Sequence, residues 1–179
     1  MRAVEKKRPP FMTPKRWIWL SVAIFVTLAV WFGLYFRDIQ SPRWSEFETA
    51  RQNALDSGEL ASIEEMYKHV WEKTTWIAEG SSEDGNLAYL FQDEEKKVLA
   101  VVDGQSVASK EALEAKFKAD HPDAELLRIS PGMFREAPVW EVYYRFPDNG
   151  NRRHAYNFYT FDAKADLLET YKLTTKTGP

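Results

Sequence analysis

One uninterrupted apolar stretch, Trp17 to Phe36, constrains this chain more than any other feature. It contains no charged residue and no proline. At a helical rise of about 1.5 Å per residue it would reach roughly 30 Å, the thickness of a bilayer's hydrocarbon core. Aromatic rings lie near both ends, Trp19 at one and Trp31 and Tyr35 at the other, as in interfacial belts. The stretch therefore predicts a single transmembrane helix over residues 17–36.

The charges on either side of this stretch predict its orientation. Six basic residues and one acidic residue precede it, giving +5, and the whole chain carries −3, so the residues after position 16 carry −8. Because cytoplasmic flanks are enriched in Lys and Arg, we expect residues 1–16 to form a cytoplasmic basic tail on a cell-membrane protein. Everything after Phe36 would then be extracytoplasmic. A cleaved signal peptide is the alternative, but the bulky end of the stretch lacks the small residues of a cleavage site.

The first part of the outer region predicts a helix followed by a meander of strands. Pro42 is expected to stop the membrane helix, and the capping-box spacing at Ser45 to start a short amphipathic helix that Gly58 ends. Runs of β-branched and aromatic residues alternate with polar turns after that point. They predict antiparallel strands around residues 63–70, 74–78, 87–91 and 98–102.

The same order of elements then repeats, which indicates a tandem duplication. Ser109 is expected to cap a second helix over residues 110–120, and a loop is expected between Pro131 and Pro138. Trp140 aligns with Trp76 of the first copy, and the turn at residues 147–150 aligns with the Gly85 loop, although the second hairpin is longer. The strands of the second copy are predicted at residues 125–129, 139–146, 153–161 and 167–173.

Three motifs of this repeat resemble a known family. They are Ser109-Lys-Glu-Ala-Leu, the strand Val139 to Tyr144, and Tyr159-Thr-Phe-Asp-Ala. Two such units behind one N-terminal anchor resemble the YpmB/TseB-like family of Gram-positive bacteria, whose units are PepSY-like. The resemblance implies an α+β fold of a transmembrane helix and two tandem PepSY/cystatin-like units, each one helix packed on an antiparallel meander. The domain limits would be residues 1–16, 17–36, 37–106 and 107–179.

The sequence offers little chemistry for catalysis. Without cysteines it has no disulfide, thiolate metal site or cysteine nucleophile. His69, His121 and His154 belong to different predicted elements and lack ligand spacing, so we expect no metal, no cofactor and no catalytic residue. The acidic pairs Glu64-Glu65, Glu83-Asp84 and Glu94-Glu95 lie in polar segments, where solvated charge is the usual role. Of the three functions considered for this chain, a cell-wall hydrolase is therefore the least favoured.

Aromatic residues in the second hairpin are the strongest candidates for a functional surface. Alternation places Trp140 and Tyr144 on one face of a strand and Tyr143 and Arg145 on the other. One face must meet the second helix, and the other is either an exposed recognition surface or the seam between the repeats. The seam is favoured because a small unit buries surface poorly alone. If that face is open, Tyr143, Arg145 and Tyr159 are candidate partner-binding residues.

The resemblance implies a non-enzymatic regulator of cell-wall elongation that binds a membrane-bound penicillin-binding protein. The alternative is a tethered inhibitor or chaperone of an extracytoplasmic protease, since PepSY-like units resemble pro-segments. An acidic outer region disfavours nucleic acid as a partner. Ala29 and Gly33 form a small-xxx-small pair, which is a weak signal for a homodimer.

Overall fold

The computed structural model describes residues 14–148 and 150–173. The predicted basic tail up to residue 13 and Asn149 of the predicted turn lie outside the described residues. The chain divides into two compact units, residues 1–46 and residues 47–179. Within the described residues, no helix carries an apolar segment long enough to cross a membrane. The membrane span and the limits of the four predicted domains therefore remain predictions.

The first helix, α1, is continuous from Pro14 to Asp56. The predicted stop at Pro42 and the predicted helix start at Ser45 are therefore wrong. An internal proline removes one hydrogen bond and crowds the preceding turn, at a cost of about 3 kcal/mol, but this cost is local and the helix continues on both sides. The predicted end is confirmed: α1 stops just before Gly58, whose φ of +76° suits glycine.

Four strands follow α1 and form the first sheet. They pair antiparallel in sequence order, so the predicted meander is confirmed. Gly80 permits the close approach of the first two strands, because a Cβ at this position would lie 1.9 Å from the carbonyl oxygen of Ser62. The strands are β1 Ser62–Val70, β2 Thr74–Ser81, β3 Leu87–Asp93 and β4 Val98–Asp103.

A second helix and a second four-stranded antiparallel sheet complete the fold. A short 3-10 helix, Gly104–Ser106, leads to α2, Lys110–Asp120. Ser109 caps α2 as predicted, since its hydroxyl accepts a hydrogen bond from the N–H of Ala112 at 3.2 Å. The longer second hairpin is also confirmed. The strands are β5 Glu125–Phe134, β6 Ala137–Asp148, β7 Asn151–Thr160 and β8 Leu167–Lys172.

The predicted loop between Pro131 and Pro138 is instead a tight hairpin. β5 continues through Pro131, and only Arg135 and Glu136 separate β5 from β6, with φ of +51° and +64°. Positive φ at both turn residues is typical of type I′ turns. The prolines are tolerated because β5 is an edge strand and because Pro138 precedes Val139, where β6 begins to pair with β7.

The main hydrophobic core lies between the two sheets and includes α2. The helix and the first sheet therefore pack on the same face of the second sheet. The seam between the repeats was expected on the opposite face. The main core lies instead on this face, where the short α2 leaves room for the first sheet, while His69 and Trp71 of the first repeat contact the opposite face. The largest fully buried side chains of this core are those of Phe91, Phe117, Trp140 and Tyr159.

A second cluster of buried apolar side chains covers the other face of the first sheet. It lies under the last turns of α1, where Ala54 is fully buried and Phe47 meets the ring of Trp76 with centroids 4.9 Å apart. Gln92 donates a hydrogen bond to the carbonyl oxygen of Ala50 in the helix at 2.7 Å. The first sheet is thus covered on both faces. The apolar members include Ala54, Leu60, Ile63, Ala78, Ala88 and Leu90.

Candidate functional site

The second sheet has an inner face, which packs into the main core, and an outer face, which points away from it. The hairpin of β6 and β7 sets this division through its register, in which Asp148 pairs with Asn151. Trp140 therefore lies opposite Tyr159 on the inner face, and Tyr143 lies opposite Tyr156 on the outer face. The hairpin falls at the predicted place, but Pro147 and Asp148 of the predicted turn are paired as the last residues of β6, and Gly150 follows at a φ of +81°.

Three aromatic rings form a half-buried stack on the outer face. The rings of Tyr143 and Tyr156 are stacked with centroids 4.7 Å apart, and His154 stacks on Tyr143 at 5.3 Å. The Tyr143 hydroxyl is also 2.7 Å from Nδ1 of His154, which fixes the two side chains relative to each other. Burial, with a smaller contribution from the nearby charge of Glu141, raises the pKa of Tyr156. Its hydroxyl therefore stays protonated and can donate a hydrogen bond.

Arginine side chains border this aromatic stack. Arg128 lies over the Tyr143 ring, 5.9 Å from its centroid, and its side chain is 57% exposed. Arg145 and Arg152 both bind Glu125, each at 2.6 Å. The hydrogen bond from Arg145, together with the positive charges of both arginines, lowers the pKa of Glu125 below its usual range. A rigid aromatic centre with arginines at its margin is the composition expected of a protein-binding hot spot.

A buried histidine–carboxylate pair holds β1 against the second sheet beside the stack. His69 Nδ1 accepts a hydrogen bond from the N–H of Met133 at 3.3 Å, so Nε2 carries the proton that is directed at Glu141, 3.1 Å away. Arg128 balances the charge of Glu141 at 2.6 Å. Gly132 makes room for the imidazole, since a Cβ there would lie 2.6 Å from ring atoms of His69. The pair thus fastens two strands together.

Opposing effects act on the pKa of Glu141 in this pair. Burial alone would raise the pKa of Glu141, but the hydrogen bonds from His69 and Arg128, together with the charge of Arg128, outweigh it and hold the pKa below the usual range. Glu141 is therefore ionised at neutral pH. A cleft of about 290 Å³ opens here between β1 and the outer face, bordered by Arg128, Glu141 and Tyr156.

Trp71, from the turn between β1 and β2, covers one end of the outer face. Its ring meets those of Phe158, Tyr171 and Tyr156 with centroids 4.9, 5.2 and 5.5 Å apart. Phe158 is fully buried beneath it, whereas Tyr143 stays half-buried. The outer face is therefore closed at the Trp71 end and open at the Tyr143 end.

Of the three candidate partner-binding residues, the structure brings two together. Tyr143 and Arg145 share the outer face, but Tyr159 lies on the inner face and is only 1% exposed. The expectation that Tyr159 joins them on one open surface is therefore wrong. Burial raises the pKa of Tyr159 and keeps it neutral in the core. Its hydroxyl accepts a hydrogen bond from Asn157 at 3.2 Å.

Sequence reasoning missed Arg128, His154 and Tyr156 as members of this surface. A signal for the last two was present, because a two-residue Asn-Gly turn fixes the register of a hairpin. Counting outward from that turn places Tyr156 opposite Tyr143 and His154 opposite Arg145, as observed. Arg128 lies just after a register shift in the pairing of β5 with β6, which no local pattern announces.

The other polar clusters bind elements to one another. The Tyr67 hydroxyl donates to Glu79 at 2.7 Å, and Lys110 at the start of α2 contacts both groups. Burial is the largest cause, and hydrogen bonds to Glu65 and Glu79 the next, of a raised pKa of Tyr67. This hydroxyl is therefore protonated at neutral pH and cannot act as a base. The three acidic sequence pairs are exposed. Among the described residues, no group of three His, Asp or Glu side chains could hold a metal ion.

Comparisons with known proteins identify the fold. No protein-family model and no curated protein sequence matches the chain. The solved structure of the YpmB protein from Bacillus subtilis matches it with a TM-score of 0.58 at 16% sequence identity. The match covers 70% of this chain and 96% of that one. The chain is thus a mixed α+β protein with two antiparallel sheets. Its fold is YpmB-like, and the expected likeness to YpmB is confirmed at the level of the fold.

Proposed function

We propose that this protein is a non-enzymatic, membrane-anchored interaction module with two tandem PepSY/cystatin-like units outside the cell membrane. It would regulate cell-wall elongation by binding a penicillin-binding protein, as the family resemblance of the sequence implies. Binding alone would suffice as a mechanism, because confinement near the membrane raises the effective concentration towards a membrane-bound partner.

The observation that carries the binding role is the half-exposed stack of Tyr143, Tyr156 and His154. Its rings are held by one another, so little side-chain entropy is lost when a partner covers them. The exposed guanidinium of Arg128 lies beside them. Tyr and Arg are the residue types that dominate binding energy at protein interfaces.

The proposed anchor is supported by the apolar side chains of α1. Trp19 and Phe25 are 74% and 73% exposed, and the other exposed large apolar residues between Trp17 and Tyr35 range from 39% to 63%. So large an exposed apolar surface is unfavourable in water and favourable in a lipid environment. The basic residues before it support a cytoplasmic N-terminus.

The test is crosslinking of the tagged full-length chain in intact cells, followed by identification of what is captured. We expect a penicillin-binding protein with the unaltered chain and at least a tenfold weaker capture with Tyr143→Ala. Leu167→Ala is the matched control, since Leu167 is 50% exposed on the same sheet but lies outside the stack. Tyr143→Phe keeps the ring stack and should retain most of the capture.

Each outcome of this experiment discriminates between hypotheses. Capture of an extracytoplasmic protease, with slower proteolysis in vitro, would replace the regulator by the tethered inhibitor. Equal loss with Leu167→Ala and Tyr143→Ala would remove the outer face from the proposal. Recovery of no specific partner by the unaltered chain would overturn the binding role.

A further inference from the structure

Exposed strand edges attract other strands, and three of the four sheet edges in this fold are protected. β1 lies beside β5, where Met133 of β5 donates its backbone N–H to His69. β8 carries charges within the strand, Glu169 and Lys172, and Glu169 is bound by Arg135 at 3.2 Å. Charged residues on an edge strand and a covering neighbour are both recognised protection against strand addition.

The fourth edge, β4, has no such protection from any residue that the structure describes. Its five residues from Val98 to Val102 are all apolar, without charge or proline. Val98, Leu99 and Val101 are 37%, 43% and 43% exposed. Among residues 14–148 and 150–173, no strand pairs with the side of β4 that faces away from β3.

The charges at the two ends of β4 favour a particular occupant. Lys96 and Lys97, which follow Glu94 and Glu95, stand directly before the apolar run, and Asp103 ends it. The charges next to the run are therefore basic at its start and acidic at its end. Two copies of β4 that pair antiparallel bring the basic end of each against the acidic end of the other. Opposite charges across a strand pair are stabilising, whereas parallel pairing would set like charges together.

The local register defines this pairing more closely. Val98 pairs with Gln92 and Ala100 with Phe91, so Leu99 is bulged and does not occupy a position in the ladder. Symmetric antiparallel pairing about Ala100 then sets Val98 of one copy opposite Val101 of the other. Both valines lie on the same face of the sheet, because their partners Gln92 and Leu90 alternate with Phe91.

We propose that β4 is a homodimerisation edge, at which a second copy of this chain adds its own β4 antiparallel. The two first sheets become one continuous eight-stranded sheet with a two-fold axis at Ala100. This contact is isologous and closes on itself, so it forms a dimer and not a fibre. It uses the first sheet and leaves the stack around Tyr143 on the second sheet free.

The first test compares matched lysine substitutions on the two outer edges. The full-length chain in mild detergent should be a dimer by light scattering, once the detergent's share of the mass is subtracted. Val101→Lys should give a monomer, because a charged side chain would replace the apolar contact with Val98 of the second copy, and lysine on an edge strand disfavours strand addition. Leu167→Lys, on β8 and similarly exposed, should remain a dimer. A monomeric unaltered chain, or an unchanged dimer with Val101→Lys, would overturn the proposal.

The second test determines the register of the β4–β4 pairing with single substitutions that are small enough to preserve the fold. Because the chain has no cysteine, single substitutions report one contact each. An equimolar mixture of Val98→Cys and Val101→Cys chains should form a disulfide-linked heterodimer on mild oxidation, at least fivefold faster than either variant alone. Crosslinking of Leu167→Cys at the same rate would show random collision and overturn the assignment. Partner capture through Tyr143 is unaffected by either set, so this proposal and the proposed function fail separately.

Discussion

The two sheets of this protein have the same order and direction of strands, yet they are covered differently. The first sheet has α1 on one face and the main core on the other, and Ile77, Ala78 and Leu90 are fully buried between them. The second sheet has α2 and the main core on its inner face. Its outer face is closed by Trp71 at one end and open at Tyr143 at the other.

This difference shows that a duplicated pattern does not imply duplicated surroundings. Each repeat places a tryptophan on its second strand, and both Trp76 and Trp140 are buried, 6% and 0% exposed. Trp76 meets the end of α1, whereas Trp140 packs against Tyr89 and Phe161 between the sheets. The face that the second sheet leaves open therefore becomes available for recognition.

The largest effect should come from comparing tryptophans on the two faces of the second sheet. Trp140→Ala should lower the free energy of unfolding by about 3–5 kcal/mol, because the surrounding core cannot collapse into the space. Trp71→Ala on the outer face should cost less than about 2 kcal/mol, since its ring is half-exposed. Chemical denaturation of the full-length chain in detergent measures both. Equal losses would mean that the outer face is as closed as the inner one.

Two adjacent tyrosines sharpen the same comparison within one strand. Tyr144 is 5% exposed, and its hydroxyl donates to the buried Asn157 at 3.2 Å. Tyr144→Ala should therefore cost about 3 kcal/mol. Tyr143→Ala should change the stability by less than about 1 kcal/mol and act on partner capture instead. Thermal melting of the two variants side by side provides the check, and a larger loss for Tyr143 would contradict an open outer face.

The close approach of β1 to β5 can be tested with a double-mutant cycle. Gly132→Ala should cost about 1–3 kcal/mol, because the added methyl overlaps the His69 ring. In a His69→Ala background the same methyl meets no ring and should be nearly neutral. Non-additivity of more than about 1 kcal/mol in denaturation midpoints is the expected coupling. Strictly additive losses of stability would show that Gly132 is not needed to make room for the His69 ring.

The smallest expected effect is a pH dependence carried by the buried pair. The pKa of Glu141 is below its ordinary value of 4.5 in the folded chain, so its contribution is present above that value and is lost as the pH falls through the folded pKa. The unaltered chain should lose stability on acidification from about pH 6 to about pH 3.5. Glu141→Gln should reduce that loss by on the order of 1 kcal/mol. An identical acid profile in both chains would exclude Glu141 from the effect.

Local patterns in the sequence predicted most of the secondary structure. The cap at Ser109, the end of α1 before Gly58 and the order of all eight strands depend on neighbours along the chain, and each was correct. Two of the errors concern prolines. Pro42 was expected to end a helix and Pro131 a strand, because local preference cannot register the continuing helix or the edge position that tolerates them.

The candidate site was predicted only in part, and the reason is the nature of the contacts. Alternation along β6 correctly placed Tyr143 and Arg145 on one face, but the assignment of Tyr159 to that face needed the hairpin register. Neither Arg128 over the Tyr143 ring nor the pair of His69 with Glu141 leaves a periodic trace in sequence. These contacts join residues of different strands through a register shift or across two sheets.

The sequence by itself determined the elements, their antiparallel order and the apolar stretch at residues 17–36, because these follow from spacing and turn chemistry within a few residues. Only the tertiary structure decided which face of the second sheet is buried. That choice depends on how α2 and the first sheet share one face, and on Trp71 reaching over the other. Elements that are far apart in the sequence compete to pack on the same face of the sheet, and local sequence patterns do not decide which of them does. The outcome left the Tyr143 stack half-exposed and, among the strands that the structure describes, the β4 edge unpaired.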